Sequence, residues 1–405
     1  MRKVVFRADA SPQIGYGHKT RCHALAEILS EDFECCFPVE DGLPGEDFVS
    51  SLKGDEIVVL DNYFYDLEYE QSILDKGCRL VRLNDFENAV SKADLLVNPS
   101  WGMGWSLLRE PFRRSVPEGD RPIDFLVCFG GVDPLGLTPR YVSYLREKVP
   151  GCRVETFSGL DAEGLSRLMR SARAMICSAS TVCREALACG CRVLAGWYVD
   201  NQLDSYRYLV EEGLIVPLGD LREERICFDP FAGESHRIDM SLVERRYRGI
   251  FKALDFDVVA YPDMSPAQSR AAWESRVHPE TRRWMSNPEP FGFESHLAFV
   301  KILAHDPSKL YLAFFRDGRF VGCYDLVGIE GGKAEHGLFV TPGEERKGLG
   351  SMMEFYSDAI ARRMGIRVLT AEVLLDNPRS YGYHLKVGYT LTGSDEKYYY
   401  LERRI

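Results

Sequence analysis

Hydrophobic and polar positions alternate along this chain on two different plans. Through the first two-thirds, short β-branched and aliphatic runs take turns with stretches of helical period. KVVFRAD, FECCFPV, EIVVLDNY, RLVRLND and DLLVNPS read as strands before a Pro- and charge-rich break, EPFRRSVPEGDRP. DFLVCFGG, RVETFSG, ARAMICSAS, RVLAGWY and LIVPL read as strands after it. Between them HKTRCHALAEIL, PRYVSYLREK and TVCREALACG read as helices. Strands alternating with helices predict parallel sheets, and the break predicts two of them, over residues 1–117 and 118–255. Such doubly wound sheets hold ligands at the C-terminal ends of their strands.

From about Phe256 the plan changes. WESRVHPETRRWM and SHLAFVKILAH read as helices, and KLYLAFFRDGRFVGCYDLVGI as two antiparallel strands turning at Asp317–Gly318. AEHGLFV is a further strand, EERKGLGSMMEFYSDAIARRMG a helix opened by glycines, and RVLTAEVLL another strand. The expected fold is therefore α/β, a pair of parallel-sheet domains, followed by an α+β domain over residues 256–405.

Length agrees: 405 residues, at roughly 150 per domain, predict two to three domains. Apolar residues at 45% and charged residues at 27% lie in the ordinary globular range, and no run approaches the roughly 18 apolar residues of a membrane span. MRKVVFRADA has too short an apolar run for a signal peptide, so a cytoplasmic protein with no membrane partner is expected. None of the 12 cysteines forms a C-x-x-C, which favours reduced, buried thiols over zinc or disulfide frameworks. A net charge of −11 without a basic tract argues against nucleic acid as a partner.

Chemistry enters at IGYGHKTRC, Ile14 to Cys22. A strand, a glycine loop and a helix start make an anion site from free backbone amides, and His18 there is either a base for water or a helix cap. Asp61, Asn62 and Tyr63 follow the strand EIVVL at a ligand-facing end. Gly130 and Gly131 let amides approach a phosphate, with Asp133 as a cap for the next turn. Ser178, Ser180 and Thr181 stand at a helix start, and Ser180 reads equally as a cap or a ligand group. Glu185 lies one turn in, where a carboxylate can take both hydroxyls of a ribose.

The run RADAS-x-x-IG-x-GH-x-x-RC, the DNY segment, FGG-x-D, S-x-ST with EALACG, and Asn201–Gln202 together resemble the UDP-sugar hydrolases of pseudaminic acid biosynthesis. The resemblance spans about residues 1–255. It implies a GT-B fold, related to the peptidoglycan N-acetylglucosaminyltransferase, and hydrolysis of UDP-2,4-diacetamido-2,4,6-trideoxy-β-L-altropyranose with release of UDP. It also implies His18 as the base. Arg7, Asp9, Gly15, Gly17, Arg21, Asn62, Tyr63, Gly130, Gly131, Ser178, Ser180, Thr181, Glu185, Asn201 and Gln202 are then the substrate contacts. No metal is demanded, since helix N-termini and amides can carry the diphosphate charge. The segment LREERICFDPFAGESHRIDM has no counterpart in that pattern.

In the C-terminal part, Arg346, Lys347, Gly348, Leu349, Gly350 and Ser351 open a long helix after a strand ending near Val340, a second anion-site pattern. With Asn377, Ser380 and Gly388–Tyr389 this resembles the Gcn5-related N-acetyltransferase (GNAT) fold, and HPETRRWM and SHLAFVKIL resemble its pseudaminic-pathway members, which acetylate the 4-amino group of a UDP-amino-sugar. The resemblance implies acetyl-CoA as cosubstrate, held by Val340, Arg346, Lys347, Gly348, Leu349, Gly350, Ser351 and Asn377. Two positions depart from the family: Glu345 replaces a Gln or Arg, and His384, beside Tyr383, stands where a tyrosine protonates the leaving thiolate. Imidazolium donates more readily than phenol at neutral pH. Glu335 is either a base for the amine, relayed by water, or a solvent-facing strand carboxylate; His278 and His296 are either sugar-nucleotide contacts or ordinary histidines. The expected activity is bifunctional, with a GT-B glycosyltransferase or a sugar-nucleotide-binding scaffold as the competing readings.

Overall fold

The structure is a computed structural model and describes residues 1–8, 17–62, 64–86, 89–117, 119–129, 133–236, 238–345 and 347–405, with the side chain of Asn201 also outside the description. The chain divides into two compact units, Met1–Lys92 with Val97–Glu244, and Ala93–Leu96 with Arg245–Ile405.

The N-terminal part of the chain carries two five-stranded sheets. Strands β1 (Lys3–Ala8), β2 (Glu34–Cys36), β3 (Ile57–Asp61), β4 (Arg79–Leu83) and β5 (Leu95–Val97) lie in the order β2-β1-β3-β4-β5. β1 pairs in parallel with β2 and β3, and β3 with β4. The second sheet, β6 (Ile123–Cys128), β7 (Val154–Thr156), β8 (Ala172–Ser178), β9 (Arg192–Trp197) and β10 (Val216–Asp220), has the order β10-β9-β8-β6-β7 with every pairing parallel. β3 and most of β1, β6 and β8 are buried along their whole length, as sheets covered on both faces require. Phe125, Val127, Phe129, Leu137, Tyr141 and Ile176 form the heart of the second sheet's core. Each such side chain contributes about 1.5–3 kcal/mol when fully buried. Ile226 and Phe228, from the segment without a counterpart, close over this core, and Phe228 exchanges hydrogen bonds with the Tyr144 hydroxyl.

The second unit holds one seven-stranded sheet in the order β11-β12-β13-β14-β15-β17-β16. Its strands are β11 (Asp257–Ala260), β12 (Lys309–Arg316), β13 (Arg319–Glu330), β14 (Lys333–Val340), β15 (Val368–Leu374), β16 (Thr390–Ser394) and β17 (Tyr398–Arg404). β12 and β13 turn at Asp317 and Gly318, whose φ angles of 50° and 72° are the pair of positive values a two-residue type I′ hairpin needs. β14 and β15 pair in parallel only over Lys333–Glu335 and Val368–Thr370, so the two strands part beyond Glu335. WESRVHPETRRWM is not one helix. It breaks at His278 (ψ 135°) between the helices Pro266–Val277 and Pro279–Arg282, because Pro279 drives the residue before it out of the helical region.

Candidate functional site

In the first unit the site grows from the C-terminal ends of β3 and β4 and the helix Gly17–Leu29. Asp61, the last residue of β3, is completely buried and gathers the side chains of His18 and Arg21. His18 Nδ1 lies 2.7 Å from Asp61 Oδ1; Arg21 donates from Nε to Oδ2 and from Nη2 to Oδ1, both at 2.6 Å. Arg21 Nη1 also donates to Asp85 at 2.6 Å. Burial by itself would raise the Asp61 pKa, yet Arg21 and His18 hold it below the usual carboxylate range. An ionised Asp61 can only accept, so Nδ1 of His18 carries the proton. The 3.1 Å approach of Arg21 Nη2 to that nitrogen is then a contact of two donors on one carboxylate oxygen. In neutral His18 the basic lone pair therefore sits on Nε2, the tautomer a general base needs. His18 is a component of a buried dyad with Asp61. Arg21 is saturated by two carboxylates and acts through Asp61.

Around this dyad the other expected residues take varied places. Arg7, buried on β1, holds its guanidinium over the rings of Phe48 and Tyr65, at 5.8 and 5.4 Å. Gly17 opens the helix, exposed, with nothing within 4 Å of an added Cβ. Asn62 Oδ1 accepts from Phe64 N at 2.7 Å, closing a local turn. Asp9, Gly15, Tyr63, Gly130, Gly131 and Arg346 lie outside the described residues, as does the Asn201 side chain.

On the second sheet, Asp133 accepts from Leu137 N and Thr138 N, the capping role its position suggested. Ser178 ends β8, and its hydroxyl lies 3.2 Å from that of Ser180. Ser180 stands at the N-cap of the helix Thr181–Ala188 without a side-chain capping bond, so its hydroxyl is not consumed by the helix. Thr181 is the exposed first residue of that helix, and Gln202 accepts from Tyr198 N. Glu185, 2% exposed, receives Arg109 Nε and Nη2 at 3.0 and 2.8 Å. Burial raises its pKa and Arg109 offsets part of that rise. Nothing in the spacing of Arg109, 76 positions away, announced this partner. Neighbouring Arg184 is buried, and donates to the hydroxyls of Ser106 and Ser205 and the carbonyl of Gly102.

In the second unit the helix Leu349–Arg363 begins at Gly348, whose φ of 79° suits glycine alone, and no side chain caps its first amides. Lys347 pairs with Glu344, and Glu345 accepts from Gly343 N. Leu349 is buried, Ser351 is half-buried, and a Cβ on Gly350 would come within 3.3 Å of the Tyr383 ring. Val340 ends β14, paired with Gly322. Asn377 caps the helix Pro378–Lys386 by accepting from Ser380 N. This cradle of uncapped amides and small residues, beside strands that part, fits a pyrophosphate-bearing cosubstrate.

Behind the helix lies a buried polar cluster the sequence did not disclose. Glu354 accepts from the hydroxyls of Tyr383 and Tyr389 and from Arg403 Nη2, which also reaches Asp358 at 2.5 Å. His384 Nδ1 donates to the Ser380 carbonyl at 2.7 Å, and its Nε2 lies 3.0 Å from Nε2 of His336. Burial pushes both histidines below their ordinary pKa. The imidazolium expected of His384 is therefore disfavoured: the neutral ring keeps its proton on Nδ1, toward the backbone, and its Nε2 accepts from His336. The Tyr383 proton is directed at Glu354, and burial raises that phenol's pKa well above its ordinary value. His278 accepts from Glu280 N, and buried His296 lies among the rings of Tyr261 and Phe293. Among the described residues no three His, Cys, Asp or Glu side chains converge as a metal-binding group, and no helix is long and apolar enough to cross a membrane.

Two parallel-sheet α/β domains followed by a GNAT-type domain is the class this architecture defines. Residues 272–389 match the acetyltransferase (GNAT) family. The N-terminal half is similar to the UDP-2,4-diacetamido-2,4,6-trideoxy-beta-L-altropyranose hydrolase of Campylobacter jejuni, 26% identical over 267 residues, which cover 52% of this chain and 97% of that protein. The C-terminal part is similar to acetyltransferase PseH of Campylobacter jejuni, 26% identical over 141 residues, 35% of this chain and 88% of that protein. A crystal structure of Campylobacter jejuni PseH with acetyl coenzyme A aligns with 37% of this chain and 98% of its own, at 23% identity and a TM-score of 0.31.

Proposed function

We propose that the chain is a cytoplasmic bifunctional enzyme of pseudaminic acid biosynthesis. Its C-terminal domain acetylates the 4-amino group of a UDP-amino-sugar with acetyl-CoA. Its N-terminal part, read as a GT-B pair over 1–117 and 118–255, hydrolyses the resulting UDP-2,4-diacetamido-2,4,6-trideoxy-β-L-altropyranose to free sugar and UDP. The observation that carries this reading is the His18–Asp61 dyad at the strand ends, a base held in the tautomer that takes a proton from water. The attacking water adds to the anomeric carbon as the bond to the diphosphate oxygen breaks, and the proton goes to His18 Nε2. The amides at the head of Gly17–Leu29 and those of Gly130 and Gly131 receive the diphosphate charge. Glu185 takes the ribose hydroxyls by sharing its carboxylate with Arg109.

In the acetyltransferase half, Val340, Arg346 to Ser351 and Asn377 hold acetyl-CoA, which supplies the activated acetyl group. Proton return to the thiolate falls to Tyr383 or to His384, the latter only once its Nε2 is protonated. His18→Ala tests the hydrolase half. It is expected to lower UDP release by at least about a hundredfold while leaving UDP binding within about threefold; unchanged UDP release overturns the reading.

A further inference from the structure

Resting on the acetyltransferase reading, we infer that Asp325 is the catalytic base that takes a proton from the substrate amine. Asp325 lies on β13 directly opposite Gly337 of β14. Its carboxylate sits flat over that glycine: a Cβ added there would stand 2.7 Å from both oxygens. Gly337 is two residues past the last β14–β15 pair, Glu335 with Thr370, so the carboxylate stands at the opening where the strands part. Strand alternation puts Asp325, Glu335 and Gly337 on one face of the sheet. His336 and Leu338 occupy the other, toward Glu354 and Gly350 of the Leu349–Arg363 helix. The candidate base and the helix that cradles the cosubstrate thus flank the opening from opposite faces.

No hydrogen bond reaches the Asp325 carboxylate, on a residue of intermediate exposure, from the described residues, in contrast to Asp61, Glu185, Glu354 and Asp358, each held by an arginine. A carboxylate kept without a fixed donor beside a glycine-floored opening is one that can accept a proton from a ligand. The groups that face it are Cys323 on its own strand, Tyr311 on β12, Glu335 on β14, Arg276 on the Pro266–Val277 helix and Tyr261 in the turn before that helix. Glu372 on β15 acts on it through Glu335. Burial, then the charge of Glu335, push the Asp325 carboxyl up to about 7, with Arg276 opposing. Glu335, the carboxylate the sequence singled out, stands where the two strands are still paired, so its part is to set the field around Asp325. In the transfer the amine nitrogen bonds to the thioester carbonyl carbon as the C–S bond breaks, and one amine proton passes to Asp325. The departing thiolate takes a proton from Tyr383 or from His384 protonated at Nε2, that group is restored from solvent, and solvent regains its proton when Asp325 releases the one it took.

The test compares the full wild-type chain with Asp325→Asn and Glu335→Gln, following coenzyme A release from acetyl-CoA and a UDP-4-amino-sugar across pH. The ionisation of Asp325 is read separately, by carboxyl NMR on the ligand-free protein. We expect wild-type kcat/KM to rise through about pH 7. Asp325→Asn should lose that limb and about 10²–10⁴-fold in kcat, with the KM for acetyl-CoA within about threefold. Glu335→Gln should keep the limb and shift it to lower pH. A carboxyl resonance absent from Asp325→Asn should titrate near 7. An active wild type whose Asp325→Asn variant keeps the profile overturns this role alone, as does a ligand-free Asp325 that titrates in the ordinary carboxylate range. A wild type that acetylates no amine overturns the acetyltransferase reading and this role with it.

Discussion

Replacing Asp61 with asparagine probes the dyad most sharply, because asparagine keeps the shape and removes the charge. Asp61 Oδ1 serves His18 and Arg21 Nη2, while Oδ2 serves Arg21 Nε. An amide can meet one demand only. With its oxygen toward Arg21 Nε, the NH₂ faces His18 Nδ1 and forces the proton onto Nε2, which abolishes the base. With its oxygen toward His18, the NH₂ meets the guanidinium donor to donor. The side chains of Asp61, His18 and Arg21 are 0%, 6% and 14% exposed, so water cannot repair either arrangement. Removing one partner of a buried pair costs about 3–5 kcal/mol; Arg21 keeps Asp85, which places the expected loss near 3. For a unit of this size that lowers the melting temperature by about 6–12 °C. The wrong tautomer lowers kcat for UDP release by as much as about 10⁴-fold. Calorimetric unfolding, UDP titration and a UDP-release assay on the folded variant separate the two effects. A variant that retains kcat within about threefold refutes the claim that Asp61 orients a catalytic His18.

Further consequences follow from single groups. Glu185→Gln should weaken UDP binding by about 10–100-fold with a smaller effect on turnover at saturation, read by UDP titration and a KM-against-kcat comparison. Gly348→Ala forces a φ of 79° on an alanine, which should cost about 1–2 kcal/mol and raise the KM for acetyl-CoA; denaturant midpoints and steady-state kinetics check it. His336 binds its proton less readily folded than unfolded, so its contribution to stability is whole above pH 6.5 and is lost as pH falls below that value. Asp325 and Asp358, pushed up to about 7 and about 6, take protons in the folded state and act in the opposite sense. The histidine effect therefore shows as a difference: His336→Asn should gain on wild type by about 1.4 kcal/mol per pH unit below 6.5, measured from urea midpoints.

The parallel sheets were legible because each strand is a short apolar run between helical periods; all ten stand where the pattern put them. β11, β16 and β17 were not read. They are short or half-exposed strands at the margins of the sheet, and Thr390–Ser394 carries no buried residue to mark a face. The site was legible as positions and illegible as partnerships. His18 could be singled out beside its glycines, but Asp61, 43 residues away, declared itself a ligand-facing residue and not the hub that fixes the imidazole. Likewise Glu354 and Arg403 are ordinary surface charges by type, and only the packing of β17 against the Leu349–Arg363 helix, 49 positions apart, makes them a buried pair. Sequence spacing reports neighbours on one element; it does not report which carboxylate a folded chain brings to an arginine.

Whether two consecutive reactions run on one chain is decided by giving the purified protein a UDP-4-amino-sugar with and without acetyl-CoA and following coenzyme A and UDP together. UDP appearing only when acetyl-CoA is present, after coenzyme A and up to an equal amount, is the expected result. Coenzyme A released with no UDP, or UDP released at the same rate without acetyl-CoA, contradicts it.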